Sequence, residues 1–182
     1  MIADLCTTEI VTAMKKERQF VGAFPCDLIP VKLPAPPYGL IINTDRSKQH
    51  GSHWVSVYVT RDNHGEYFDS FGFPPLVQDI VSFLNELGLC FCKSNFVVQH
   101  PASVACGHFA IGFLLARFRD VSFEEFLAFF DSSQLQQNDS IIKKWNTTFL
   151  KRTSYGKSVA LSTAKDSHMG VASRNHASCQ WN

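Results

Sequence analysis

The chain has little charge and no excess of either sign. Lys and Arg number 17 against 16 Asp and Glu, charged residues make up 18% of the 182, and the net is +1. A molecule-wide electrostatic grip on nucleic acid is therefore excluded. With 45% hydrophobic residues, so is a disordered chain. Long apolar runs are missing too. The longest, Phe109 to Ala116, falls far short of the roughly 18 residues of a membrane-spanning helix, so no membrane association is expected. The start of the chain places Asp4 early and has no apolar run of signal length; secretion is not expected. Six cysteines, at 6, 26, 90, 92, 106 and 179, show no framework spacing. Reduced thiols in a cytosolic or nuclear compartment follow.

What is present describes one folded domain over 1–152 and a tail over 153–182. The tail is Ser-, Lys- and His-rich without periodicity, and is expected to be disordered. From Lys151 onward the net charge is +4, which leaves −3 for the rest; the tail is expected to supply a salt-sensitive affinity for DNA or acidic partners. Before it, Asp4 to Arg18 reads as a helix with Leu5, Ile10, Val11 and Met14 inward. Gly22 and five prolines between 25 and 37 predict irregular chain. Tyr38 to Thr44 and His53 to Thr60 read as strands, and in the second Val55, Val57 and Val59 alternate with Ser56, Tyr58 and Thr60. A hairpin loop Arg61–Gly65 leads to a partner strand Glu66–Phe71. Pro74 and Pro75 open a helix through Leu87 that Gly88 ends. Leu89–Gln99 contains a strand centred on Phe96–Val98. A helix apolar on every side begins at Cys106. Ser122 and Glu125 form a capping box, and Ser140–Leu150 is a last helix. The fold class is α+β: a mainly antiparallel sheet packed with helices around a buried central helix.

Cys106 lies at the start of that helix, after the turn His100–Ser103. Unpaired N–H groups and the positive dipole end there favour a thiolate, and a histidine beside it would lower the thiol pKa from about 8.5 into a range of roughly 3.5–7.5. Gly107 leaves room for close backbone approach. His53 begins one strand and Asp69 lies on its partner, both on one face of the sheet. A symmetric five-residue loop would set His53 opposite Phe73 and leave Asp69 four residues short, so contact requires a tighter turn, a bulge or strong twist. Gln99, seven residues before Cys106, is placed to donate its amide to an oxyanion together with the Cys106 N–H. Each residue alone has an ordinary reading: a buried structural thiol, a solvated histidine, a turn-forming aspartate, a strand-ending glutamine. In the order His, Asp, Gln, Cys they form a base, an orienter, an oxyanion donor and a nucleophile. The Cys-first order of papain-like enzymes is excluded.

His53-Trp54, Tyr67 to Phe73, Gln99 and Ala105-Cys106-Gly107-His108-Phe109, with Phe20–Phe24 and Ile41–Thr44 before them, resemble the adenovirus endopeptidase (adenain) family. Its relatives include proteases of virus-like DNA transposons and of ubiquitin-like proteins. The resemblance covers roughly residues 20–116. It implies that His53, Asp69 and Cys106 are catalytic, that Gln99 and Cys106 form the oxyanion hole, and that Trp54 walls a narrow channel admitting glycine. It also implies protein substrates such as structural precursors, an activating peptide and DNA as cofactors, and a place in the host nucleus or cytoplasm or in the virion. The chain departs from the adenoviral pattern at Asp69, where those enzymes carry Glu and the cellular deconjugases carry Asp. The seven-residue step from Gln99 to Cys106 is the adenoviral one. Cys90 and Cys92 lie near the position of the adenoviral peptide-linking cysteine, though at a different spacing; their i, i+2 relation reads as a core pair. No zinc-ligand spacing is present. A deconjugase for ubiquitin-like modifiers and a catalytically silent capsid or scaffold domain are the alternative readings.

Overall fold

A computed structural model describes residues 5–152 and 178–179. Its elements are α1 (Thr7–Met14), β1 (Phe20–Pro25), β2 (Tyr38–Asn43), β3 (Trp54–Val59), β4 (Gly65–Phe68), α2 (Gln78–Glu86), β5 (Phe91–Lys93), α3 (Cys106–Arg117), α4 (Phe123–Leu127), α5 (Leu135–Arg152) and β6 (Ser178–Cys179). One sheet runs in the order β1-β2-β3-β4-β5-β6. Its centre, β2-β3-β4, is antiparallel as expected. β1 on β2 and β5 on β4 are parallel, so the sheet is mixed. The fold is α+β. Apart from β6, the expected disordered tail lies outside the described residues.

Both faces of the sheet are covered, and β3 explains how. Val55, Val57 and Val59 face a cluster with Leu40, Ile42, Tyr67 and the α2 residues Ile80 and Leu84. Trp54 and Tyr58 face the opposite cluster, built on α3. Between them the small Ser56 lets α3 come close and donates its hydroxyl to the Ala110 carbonyl at 3.1 Å. The alternation that reads as one apolar and one polar face is thus two buried faces, one of them cut to fit a helix. α3 is surrounded by β3, α1, α4 and α5, which accounts for its having no polar face. Phe68, Phe113, Phe123 and Phe126 meet around it with ring centroids 4.9–6.2 Å apart, where a good share of the phenylalanines finds its use.

Several expectations are corrected. The first helix starts at Thr7, and Val11 is exposed while Ile10 and Met14 are buried. The proline-rich stretch begins with a strand, β1: Gly22 and a register shift after Phe20 let it pair with β2 despite its composition, since Pro25 sits at its end, where no further ladder bond is required. Phe96–Val98 is not a strand. The amides of Val98 and Gln99 both donate to the single Ser70 carbonyl, so no ladder can continue there. Cys90 and Cys92 are not a core pair: Cys90 is an exposed free thiol, and Cys92 is disulfide-bonded and stands opposite Cys179 in the β5–β6 register. The expectation of reduced thiols fails at Cys92. The capping box of Ser122 and Glu125 is as expected, and Phe123, Phe126, Leu127 and Phe130 after it are buried.

At the far end of α3, Arg117 fastens the helix to the sheet. Its Nε and Nη2 donate to the two carboxylate oxygens of Glu66 at 2.7 and 3.0 Å, Nη1 donates to the Val121 carbonyl, and the guanidinium lies over the Tyr58 ring. Burial still leaves the Glu66 carboxyl above its ordinary range, against the opposing charge and hydrogen bonds of Arg117. Removing the cation strands a buried acid. Arg117→Ala is expected to lower the urea unfolding free energy by about 3–5 kcal/mol at neutral pH; a loss below ~1 kcal/mol would show the pair to be a surface decoration.

Candidate active site

The hairpin between β3 and β4 sets the geometry. Its loop is three residues, Arg61–Asn63, closed by Thr60 N–H donating to the His64 carbonyl at 2.8 Å, with Asn63 in the left-handed region at φ 59°. Asparagine tolerates that conformation. The tighter loop moves the expected register by two residues: Ser56 pairs with Phe68 and Val57 with Tyr67. Continued past the ladder, this pairing sets Phe71 across from His53 and brings Asp69 onto the diagonal. The contact that a five-residue loop denies is therefore made. His53 Nε2 lies 3.0 Å from Asp69 Oδ1, with 16% and 5% of the two side chains exposed. The imidazole also stacks on Phe71, centroids 5.0 Å apart.

Asp69 is at once the turn former and the partner of the histidine. Its Oδ1 accepts the Phe71 N–H at 2.7 Å, and its carbonyl accepts the Gly72 N–H at 2.9 Å. Gly72 has φ 73°, and a Cβ there would fall 2.8 Å from the Asn95 carbonyl oxygen, so only glycine fits.

Cys106 begins α3, buried, as a free thiol. Its backbone N–H, at the first turn, has no acceptor within the helix. Desolvation works against a charged His53, but hydrogen bonds to Asp69 and to Cys106, and the negative charge of both, outweigh it; the pKa is pushed up to about 9. With Nε2 turned to Asp69, the other ring nitrogen remains for the sulfur. Trp54 is buried, donates its indole N–H to the Leu5 carbonyl at 2.9 Å and borders an open cavity of about 230 Å³ together with Leu5, Cys6, Asn43 and His50. A Cβ on Gly107 would meet Leu5 and Trp54 at 3.2–3.3 Å, so the close approach expected there is made first of all by the chain's own N-terminal segment. Gln99 is fully buried. Its amide N–H groups reach the Ser103 carbonyl and hydroxyl oxygens at 3.0 and 3.1 Å, across the turn that delivers Cys106. Among the described residues no group of three or more side chains could hold a metal ion.

No family model matches the chain. It is 29% identical over 112 residues to proteins named SUMO-1 cysteine protease S273R from African swine fever virus isolates of a South African tick and a Namibian warthog. The same figures hold for cysteine protease S273R of the Badajoz 1971 Vero-adapted strain. The chain is homologous to these viral cysteine proteases. The match covers 54% of this chain and 40% of the viral protein, so the chain spans well under half the length of the S273R proteases it matches. The crystal structure of the ASFV pS273R protease superposes with a TM-score of 0.49 and 24% identity, over 64% of this chain and 45% of that one. These likenesses fit a viral cysteine protease of the ubiquitin-like-protease or adenain type.

Two contributors escape sequence reading. Phe71, which stacks on the base, and Ser70, which donates to the Gln99 carbonyl oxygen at 2.6 Å, stand inside the Asp69–Phe73 stretch, but no spacing rule assigns a contact to them. The raised His53 pKa is the testable consequence of the geometry. A folded pKa above the 6.5 of a free histidine means that the contribution to stability is complete below about pH 6.5 and is lost as pH rises through about 9. NMR titration of the His53 ring is expected to give a midpoint near 9, and Cys106→Ala or Asp69→Ala is expected to bring it down. A wild-type midpoint at or below the free value would contradict the ion pair.

Proposed function

We propose that this chain is a cysteine endopeptidase that cuts peptide bonds at Gly-containing sites and matures structural precursor proteins of a virus or virus-like element. The observation that carries the reading is one buried imidazole that lies 3.0 Å from Asp69 and is raised in pKa by Asp69 and Cys106 together, with the sulfur at the start of a buried helix. In this reading the Cys106 thiolate attacks the scissile carbonyl carbon. The oxyanion is met by the Cys106 backbone N–H and by the Gln99 amide, which exchanges its contact with Ser103 Oγ for the developing charge. Imidazolium His53 then gives its proton to the leaving amine, leaving a thioester on Cys106. A water that gives its proton to the now neutral His53 attacks the thioester carbon and releases the acid product, restoring the thiolate and imidazolium. Asp69 stays ionised and fixes the ring tautomer.

The cavity beside Trp54 supports a channel for the substrate on that side. The activating peptide implied by the resemblance has a counterpart within the chain in this reading: β6 adds to the β5 edge of the sheet with Cys92 across from Cys179, so the chain's own C-terminal segment takes the role of the added strand. DNA as a cofactor rests on the basic tail alone, outside the described residues.

A second reading, removal of ubiquitin-like modifiers, draws on the name SUMO-1 cysteine protease carried by relatives and on exposed Phe73 and Leu76, which follow Phe71 at the site and offer apolar surface to a folded modifier. Cleavage of a proteome-derived peptide library separates the two. Endoproteolysis predicts cuts after or between glycines within unfolded peptides, abolished by Cys106→Ala and lowered roughly 10²–10⁴-fold in kcat by Asp69→Asn. Cutting only of a folded modifier, with peptides left intact, would favour the second reading; near-native kinetics for Asp69→Asn would remove the aspartate from the mechanism.

A further inference from the structure

Asp69 and Ser70 are neighbours at the end of β4, and each holds one side chain of the proposed site. Asp69 holds the base. Ser70 is 1% exposed and holds Gln99, which is 0% exposed, by two bonds: its hydroxyl lies 2.6 Å from Gln99 Oε1, and its carbonyl accepts the Gln99 backbone N–H at 3.1 Å, along with that of Val98 at 3.0 Å.

The direction of the side-chain bond follows from what the other end of the amide meets. The Ser103 carbonyl is an acceptor only, so the amide nitrogen must face it, and the carbonyl oxygen of Gln99 must face Ser70. The Ser70 hydroxyl is then the donor. A buried amide with an unpartnered oxygen would gain by rotating about its last bond, and the rotated amide would turn an acceptor toward the side on which an oxyanion develops. A single hydroxyl opposes that rotation.

We propose that Ser70 is a positioning residue for the oxyanion hole: its hydroxyl locks the Gln99 amide with the N–H groups toward the Cys106 turn, and so acts on the transition state through Gln99. This rests on the reading of Gln99 as an oxyanion donor. The strand end Asp69-Ser70 thereby sets both the tautomer of the base and the facing of the oxyanion donor.

The test compares Ser70→Thr with Ser70→Val. The two introduced side chains have nearly the same shape, and only threonine keeps the donor. Expected for Ser70→Val is a kcat about tenfold to a hundredfold below that of Ser70→Thr, an unchanged KM, and an unchanged rate of Cys106 alkylation by iodoacetamide, which forms no oxyanion. Gln99→Ala is expected to lower kcat by about 10²–10³, and adding Ser70→Val to it should cost nothing more, because the hydroxyl has lost the group it acts through. Equal kcat for the Thr and Val variants would overturn the proposal, as would a further loss on the Gln99→Ala background, or a Val variant whose alkylation rate and thermal midpoint fall together with kcat. Near-normal turnover in Gln99→Ala would instead remove the oxyanion role of Gln99 itself. Should the extra methyl group prevent both variants from folding, Ser70→Ala takes the place of Ser70→Val and wild type that of Ser70→Thr, with the same outcomes deciding.

Discussion

One carboxylate oxygen joins the backbone to the chemistry. Asp69 Oδ1 accepts the Phe71 N–H, ending β4 in a tight turn, and the same atom lies 3.0 Å from His53 Nε2. Were the turn to open, His53 would lose its carboxylate partner and Phe71 would leave the face of its ring. Were the aspartate absent, the turn would lose its first acceptor. The left-handed Gly72 then lets the chain pass against the Asn95 carbonyl, which brings 94–99 alongside the same strand end. His53 and Gln99 are thus both held by residues of one short stretch, Asp69 and Ser70.

The rest of the fold holds that strand end at a fixed distance from the start of α3. A helix apolar on all sides is enclosed by the sheet on one face and α1, α4 and α5 on the others, with Ser56 and Arg117 fixing its height and tilt by bonds to its middle and its end. Such a helix does not slide or roll cheaply, since close-packed interiors resist small displacements. The N-terminal segment closes the arrangement from outside: Leu5 touches the space over Gly107 and takes the Trp54 indole bond. Desolvation of the thiol and the imidazole follows from this enclosure. Burial works against a charge on His53, and the hydrogen bonds and negative charge that the ring meets outweigh it.

The legible part of the sequence was the part governed by short-range rules. Alternation in Val55–Val59, the capping box at Ser122, Gly88 after α2 and the apolar helix from Cys106 all follow from period, caps and composition. Less legible was anything depending on how many residues a turn absorbs. A two-residue difference in the β3–β4 loop, set by Asn63 entering the left-handed region, decided whether Asp69 could reach His53 at all. Phe96–Val98 has strand composition but gives both its last amides to one carbonyl. β1 is hidden by Gly22 and the prolines that follow it, and its parallel pairing comes from a distant strand that local preference does not register. Ser70 was invisible because its role is a contact with a residue 29 positions away.

The central claim is that Cys106, activated by His53, forms a covalent bond to the acyl carbon of its substrate. It is tested most directly by intact-protein mass spectrometry after incubation with a peptide vinyl sulfone that ends in a Gly-like residue. A single adduct, mapped to Cys106 and greatly slowed in His53→Ala, is the predicted result. Labelling spread over Cys6 and Cys90, or a rate indifferent to His53, would contradict the account.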